Sequence, residues 1–281
     1  MTKKKLLNKV VKEQLEYRKT ISMPDDIGFG FEIELAAENK HTKNEFEKDF
    51  TTDDSDVQHE YTLSSGYGLE VTTPVLFNKK DTWNKLYELG EKLKEYKGII
   101  TDGAFQVNLD DENGICRRPL EFLKLFSAYE DVIYRISKGS DIKLRRNIEF
   151  FASPCLPFFN QVEKENEEKA QYNLRQKFYR NKMYAISLKN KVIEFRTPNS
   201  TFSPWLWQNY TNIFYNLLYL NPNKVDLEKI NAYLKEEKTY TLDVDKAAEF
   251  ANLIFKNDLD KLYFMKQYLG NMSKDKILEL I

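Results

Sequence analysis

Glu32 and Glu34 stand two residues apart in Gly28-Phe29-Gly30-Phe31-Glu32-Ile33-Glu34-Leu35. In an extended strand alternate residues share a face, so Phe29, Phe31, Ile33 and Leu35 make one apolar face. The two acids lie on the other, about 7 Å apart. Carboxylates at that spacing repel unless a cation lies between or beside them. A downstream segment, Val192-Ile193-Glu194-Phe195-Arg196, repeats the pattern with Glu194 and Arg196 opposite Ile193 and Phe195. Two further segments alternate in the same way. One pairs Glu70 with Thr72; the other sets Gln106, Asn108 and Asp110 against Phe105, Val107 and Leu109. Hard oxygen donors gathered on one face suit Mg²⁺, which commonly bridges to a nucleotide phosphate. An Arg beside them would grip phosphate in a bidentate way. The plain alternative is an antiparallel sheet with one face in water. The central positions of these four strands lack lysine in a lysine-rich chain, which favours a site.

The elements that must carry these strands follow from periodicity and turn chemistry. Residues 1–20 read as an amphipathic helix, with Leu6, Leu7, Val10, Val11 and Leu15 at helical spacing. Residues 37–60 are polar and acidic and read as a long loop or an irregular excursion. The strand around Leu69 stops near Pro74, and a helix from Asp81 to Lys97 takes Asp81 as its cap. Pro119 opens a helix running to about Lys138. Arg145 and Arg146 precede a Ser153-Pro154-Cys155-Leu156-Pro157 loop, and either cap a helix or bind phosphate. Residues 160–180 read as a solvated helix. Tyr184–Leu188 and Val192–Arg196 read as a hairpin turning on Lys189-Asn190-Lys191. Ser203-Pro204 starts a helix, and residues 226–281 read as three or four short ones.

Composition narrows the function. The 281 residues suffice for a sizeable core, and the chain is 41% hydrophobic and 31% charged. Its 43 basic and 44 acidic residues leave a net charge of −1, which argues against a nucleic-acid binder. No apolar run spans a bilayer, and Lys3, Lys4 and Lys5 precede no signal-type core. Cys116 and Cys155 have no metal-type spacing and read as free thiols of a cytoplasmic protein. His41 and His59 lie in polar stretches without spaced partners, and Trp205 and Trp207 read as core and rim of a helix. Gly28-Phe29-Gly30 opens no phosphate loop; its glycines read as points of close approach to the sheet or a ligand.

Taken in order, these segments resemble the amidoligase family, carboxylate–amine ligases of glutamine-synthetase-like fold. Gly30-Phe31-Glu32-Ile33-Glu34 matches an opening G-x-E-x-E strand, and Asp53-Asp54-Ser55 is nearest to its D-G-S turn. Gly68-Leu69-Glu70-Val71-Thr72-Thr73-Pro74 matches G-x-E-[LIV]-x-[ST]-P. Tyr129-Glu130, Arg145, Arg146 and Pro154 follow the family's Tyr-Glu helix, Arg and Pro loop. Ile193-Glu194-Phe195-Arg196 with Asn199-Ser200-Thr201 matches the closing I-E-F-R and N-G-T. The likeness spans residues 27–215, roughly. Where the family has H-x-H, this chain has Gln106 and Asn108. Their amide oxygens can meet Mg²⁺ or phosphate donors but cannot carry charge or move a proton.

The resemblance implies an α+β fold: a curved, mainly antiparallel sheet with helices on one face. It spans residues 25–220, after a helical lead-in (1–24) and before a helical region (221–281) that caps the site or docks a partner. It implies ATP-dependent amide formation, in which a carboxylate attacks the γ-phosphate and an amine then displaces phosphate from the acyl phosphate. The protein's part is positioning and charge neutralisation. Glu32, Glu34, Glu70 and Glu194 would hold Mg²⁺. Gln106, Asn108, Arg145, Arg146 and Arg196 would bind the nucleotide, with Arg196 and Arg146 on the transferring phosphoryl group. Asp53 would bind or deprotonate the amine. The carboxylate and amine could belong to small molecules, a peptide or a protein side chain. The Gln106 and Asn108 departure leaves a second reading: a catalytically degenerate relative that binds nucleotide or a protein.

Overall fold

Strand β1 (Gly28–Ala37) is the spine of the sheet. The computed structural model describes residues 1–51, 67–139, 151–162 and 164–281, and the backbone of 56–59. On one side β1 pairs with β3 (Gly68–Thr72), which pairs with β2 (Asp56–His59). Pro74 ends β3, and β4 (Leu76–Phe77) returns to the start of β1. At the far end of β1 lies β5 (Ile99–Ile100). On the other side come β6 (Phe105–Asp110), β8 (Val192–Phe195) and β7 (Ile186–Lys189). The order is β2-β3-β1-β6-β8-β7, and each of these pairings is antiparallel.

Helices cover the apolar face. Phe29 stacks on Trp83 of α3 (Lys80–Glu95), with centroids 5.1 Å apart. The helix opened by Ser203-Pro204 (α8, Pro204–Leu218) supplies Trp207 against Phe105 at 6.0 Å and Phe214 against Phe195 at 4.3 Å. Each of these rings is buried, and a large apolar side chain so placed contributes about 1.5–3 kcal/mol.

Several expectations change. The lead-in helix is short: α1 is Lys3–Lys12, capped by Thr2. The linker after it is pinned instead by polar side chains. Arg18 pairs with Asp260 at 2.5 Å, and Asn78 binds the backbone of Ile21 and Met23. Residues 37–60 are not simply a loop. Asn39 accepts from the Thr42 N–H and starts α2 (Lys40–Phe50), whose Phe46 and Phe50 stack one turn apart at 4.2 Å. Asp81 does not cap α3: the cap position is Lys79, and Asp81 sits in the first turn, where its charge suits the helix dipole. The helix after Pro119 breaks at Tyr129 (φ −105°, ψ 18°) into α4 (Leu120–Ala128) and α5 (Glu130–Ser137). The charged stretch 160–180 is cut by Asn166, an N-cap that separates α6 (Leu156–Val162) from α7 (Glu167–Phe178).

The last region forms α9 (Leu227–Lys235), α10 (Val244–Ile254), α11 (Asp258–Leu269) and α12 (Lys274–Leu278). Leu6, Leu7 and Val10 of α1 are buried, and α1 packs against α10, α11 and α12. One continuous hydrophobic cluster therefore includes residues from Leu6 to Ile277. Among the described residues no helix is long and apolar enough to cross a membrane.

Candidate functional site

Register decides which acids share a face, because directly opposed residues point the same way. Glu34 faces Glu70 across β1 and β3, and Glu32 faces Thr72. On the other side Glu32 faces Gln106, and Gly30 faces Asn108. Asn108 faces Glu194, which faces Ser187 in turn. Arg196 follows directly after β8, its N–H donating to the Ala185 carbonyl at 2.9 Å. The four alternating segments thus share one polar face. Asp53, Arg145 and Arg146 lie outside the described residues.

The side chains on this face form a chain of hydrogen bonds. Glu34 is the most tied down: Oε2 accepts from the Ala104 N–H at 2.7 Å and Oε1 from Gln106 Nε2 at 2.8 Å. The Gln106 oxygen accepts from Arg196 Nη1 at 2.5 Å, and the same Nη1 meets Glu194 Oε1 at 2.6 Å. Arg196 Nε points to the Phe151 carbonyl at 3.4 Å. Asn108 Nδ2 donates to Glu32 Oε1 at 3.0 Å.

Lys189 is the residue the sequence reading missed. The Lys189-Asn190-Lys191 pattern reads as a turn, but Lys189 is the last residue of β7 and shares the face of Ser187 and Glu194. Its ammonium lies 3.1 Å from Glu194 Oε2, 3.4 Å from Glu32 Oε1 and 3.4 Å from Asn108 Oδ1. Extending the period-2 alternation from Ser187 through Lys189 was the available signal. The cation that two spaced carboxylates require is therefore supplied in part by the chain itself.

Burial sharpens the electrostatics. Glu194 is 0% exposed, and among the described residues its Oε2 accepts no hydrogen bond although the ammonium is near. The side chain of Lys189 is 31% exposed, so it approaches from the solvent side. Among the described residues no three acids, histidines or cysteines converge into a metal cage. A cage is not what Mg²⁺ requires: one or two carboxylates, with water and phosphate completing the shell, is its common arrangement. Glu32 and Glu194, with a buried oxygen lacking a hydrogen bond, fit that donor set at the place of the lysine ammonium. Glu34 fits it less, since both its oxygens already accept hydrogen bonds from β6 and the residue before it.

Of the discounted candidates, the His59 side chain lies outside the described residues. His41 is exposed and, among the described residues, pairs with Glu45 one helical turn away. Cys155 is fully buried, and burial pushes its thiol well above the ordinary range. The two tryptophans exchange the expected places: Trp207, stacked on Phe105, is core, while Trp205 is half-buried against Tyr263. No known family model matches the chain, and no curated protein is detectably similar to it in sequence.

Proposed function

We propose that the polar face is the site of an ATP- and Mg²⁺-dependent carboxylate–amine ligase of the amidoligase type, on a glutamine-synthetase-like sheet. The observation that carries this reading is the common face: the register aligns Glu32, Glu34, Glu70, Gln106, Asn108, Glu194 and Arg196 opposite a helix-covered apolar layer. Glu32 and Glu194 would hold Mg²⁺, while Glu70, opposite Glu34 on β3, lies toward the other edge of the face. Bound there, Mg²⁺ would supply charge neutralisation for the phosphates. Arg196 Nη1 is held by both Gln106 and Glu194, so its guanidinium is preorganised for an anionic group. Gln106 and Asn108 orient charged neighbours and move no proton. Their exchange places Glu34 and Glu32 in hydrogen-bonded register with β6.

A second reading has its own support. Lys189 between Glu32 and Glu194, with amides at 106 and 108, compensates the acids internally, as a degenerate nucleotide- or protein-binding relative would. Two measurements separate the cases. Glu32→Gln is expected to abolish Mg·ATP binding while leaving the fold intact, and unchanged affinity in that variant would sink the site assignment. ADP release on supplying panels of carboxylates and amines supports the ligase; binding without release supports the degenerate relative.

A further inference from the structure

Beyond Glu32, at the Gly28 end of the polar face, the sheet holds a depression of about 320 Å³. Its floor is the backbone of Gly28 and Gly30, with Pro74 and Val75 on one wall and Asp110 and Val192 on the other. Lys189 and Glu32 also line it, so it opens directly onto the charged cluster. The two glycines do different things. A Cβ at Gly28 would fall 2.4 Å from Asp110 Oδ2, and the Gly28 N–H donates to that same oxygen at 2.9 Å. Bare backbone there seats the carboxylate. A Cβ at Gly30 would meet nothing nearer than 3.6 Å, and its φ is not in the left-handed region. Neither packing nor backbone geometry demands glycine at 30, so the space its missing side chain leaves is the floor of the pocket. Asp110 Oδ1 has no partner among the described residues.

We propose that this pocket holds the amine substrate, a small primary ammonium with a short apolar body, its charge on Asp110. The inference rests on the ligase reading above. A carboxylate with one oxygen held by backbone and one open suits a charge-assisted N–H···O bond. Pro74, Val75 and Val192 favour an alkyl body over a small hydrated cation. The volume is at the lower end for ligand pockets, ~300–1,000 Å³, which suits a small molecule or a single side chain.

The test uses the full chain with Mg²⁺ and a non-hydrolysable ATP analogue, and titrates n-butylamine against n-butanol by NMR. Butylamine is expected to bind about tenfold or more tightly than butanol, the worth of one charge-assisted hydrogen bond. Asp110→Asn should remove that preference, and Gly30→Leu should abolish amine binding by filling the floor. Equal binding of amine and alcohol, or no amine binding, overturns the proposal. So does loss of ATP-analogue binding in Gly30→Leu with amine binding intact, which assigns the pocket to the nucleotide. If the wild-type chain binds no analogue, the ligase reading fails, and the amine preference is then judged by the same Asp110→Asn comparison without nucleotide.

Discussion

Lys189→Met removes the ammonium from between Glu32 and Glu194 while keeping most of the side chain's length. At 3.1 Å, the attraction between Lys189 and Glu194 is worth about 5 kcal/mol at an effective dielectric near 20. Much of that is not net stability. The lysine is 31% exposed, so water screens it, and its own desolvation offsets part of the gain. A net loss of about 1–3 kcal/mol is expected, because Glu194 stays fully buried with one oxygen facing no cation. For a chain of this size that lowers the melting temperature by about 2–5 °C. If Glu32 and Glu194 form a divalent-cation site, Mg²⁺ should restore the loss. An ion at 100 times its Kd stabilises by about 2.7 kcal/mol. Thermal melts of both proteins with and without millimolar Mg²⁺ read this directly, and the variant should respond more strongly than wild type. Equal melting temperatures, with no Mg²⁺ response in the variant, would refute both the electrostatic argument and the metal fit.

Glu130 gives a pH prediction. Burial pushes its carboxyl up from 4.5 to about 8, although the Cys155 and Leu156 N–H groups donate to it. Burial likewise pushes Lys238 down from 10.5 to about 8. Between pH 4.5 and 8 the native state keeps a proton the unfolded chain has lost, so stability falls as pH rises. Between 8 and about 9 the unfolded chain holds the extra Lys238 proton, so stability rises; above 9 the Cys116 and Cys155 thiols, pushed up by burial, keep protons the unfolded chain loses, and stability falls again. Denaturant melts across pH should show a minimum near 8, and Glu130→Gln should flatten its acid limb. Asn39→Ala removes the cap of α2 and should cost about 1 kcal/mol in the same melts. Trp207→Ala, at a fully buried ring stacked on Phe105, should cost about 3–5 kcal/mol. Cys116 and Cys155 should resist a thiol reagent until the protein unfolds, since both are buried and burial pushes each thiol upward.

The strands were legible because period-2 alternation is a local signal. Glu32, Glu70, Asn108 and Glu194 each declare their face within a few residues, and antiparallel register then makes the four faces one. Pro204 and Gly68 marked their boundaries equally locally. What failed depended on distant partners. α2 hides in a polar stretch because two phenylalanines suffice to bury it, and a short amphipathic stripe among lysines and glutamates resembles a loop. Lys189 was masked by its neighbours: Asn190 takes φ 53° and turns the chain, which draws the eye to the turn rather than to the strand ending there. The hydrogen bonds that restrain Glu34 also lay outside the sequence, since its partners at 104 and 106 are set by tertiary register.

The seat of α1 among the last helices has a consequence for how the protein is made. Lys3 pairs with Asp245 at 2.8 Å, so this contact closes a loop of about 240 residues, at an entropic cost of about 5 kcal/mol. A ten-residue helix is not stable on its own, so α1 cannot wait preformed. At synthesis rates of 5–20 residues per second, its Leu6, Leu7 and Val10 stay unburied for roughly ten to fifty seconds. The first helix in the sequence thus finds its place only after α10 and α11 have been made. A ribosome stalled before α10 would leave that apolar stripe exposed.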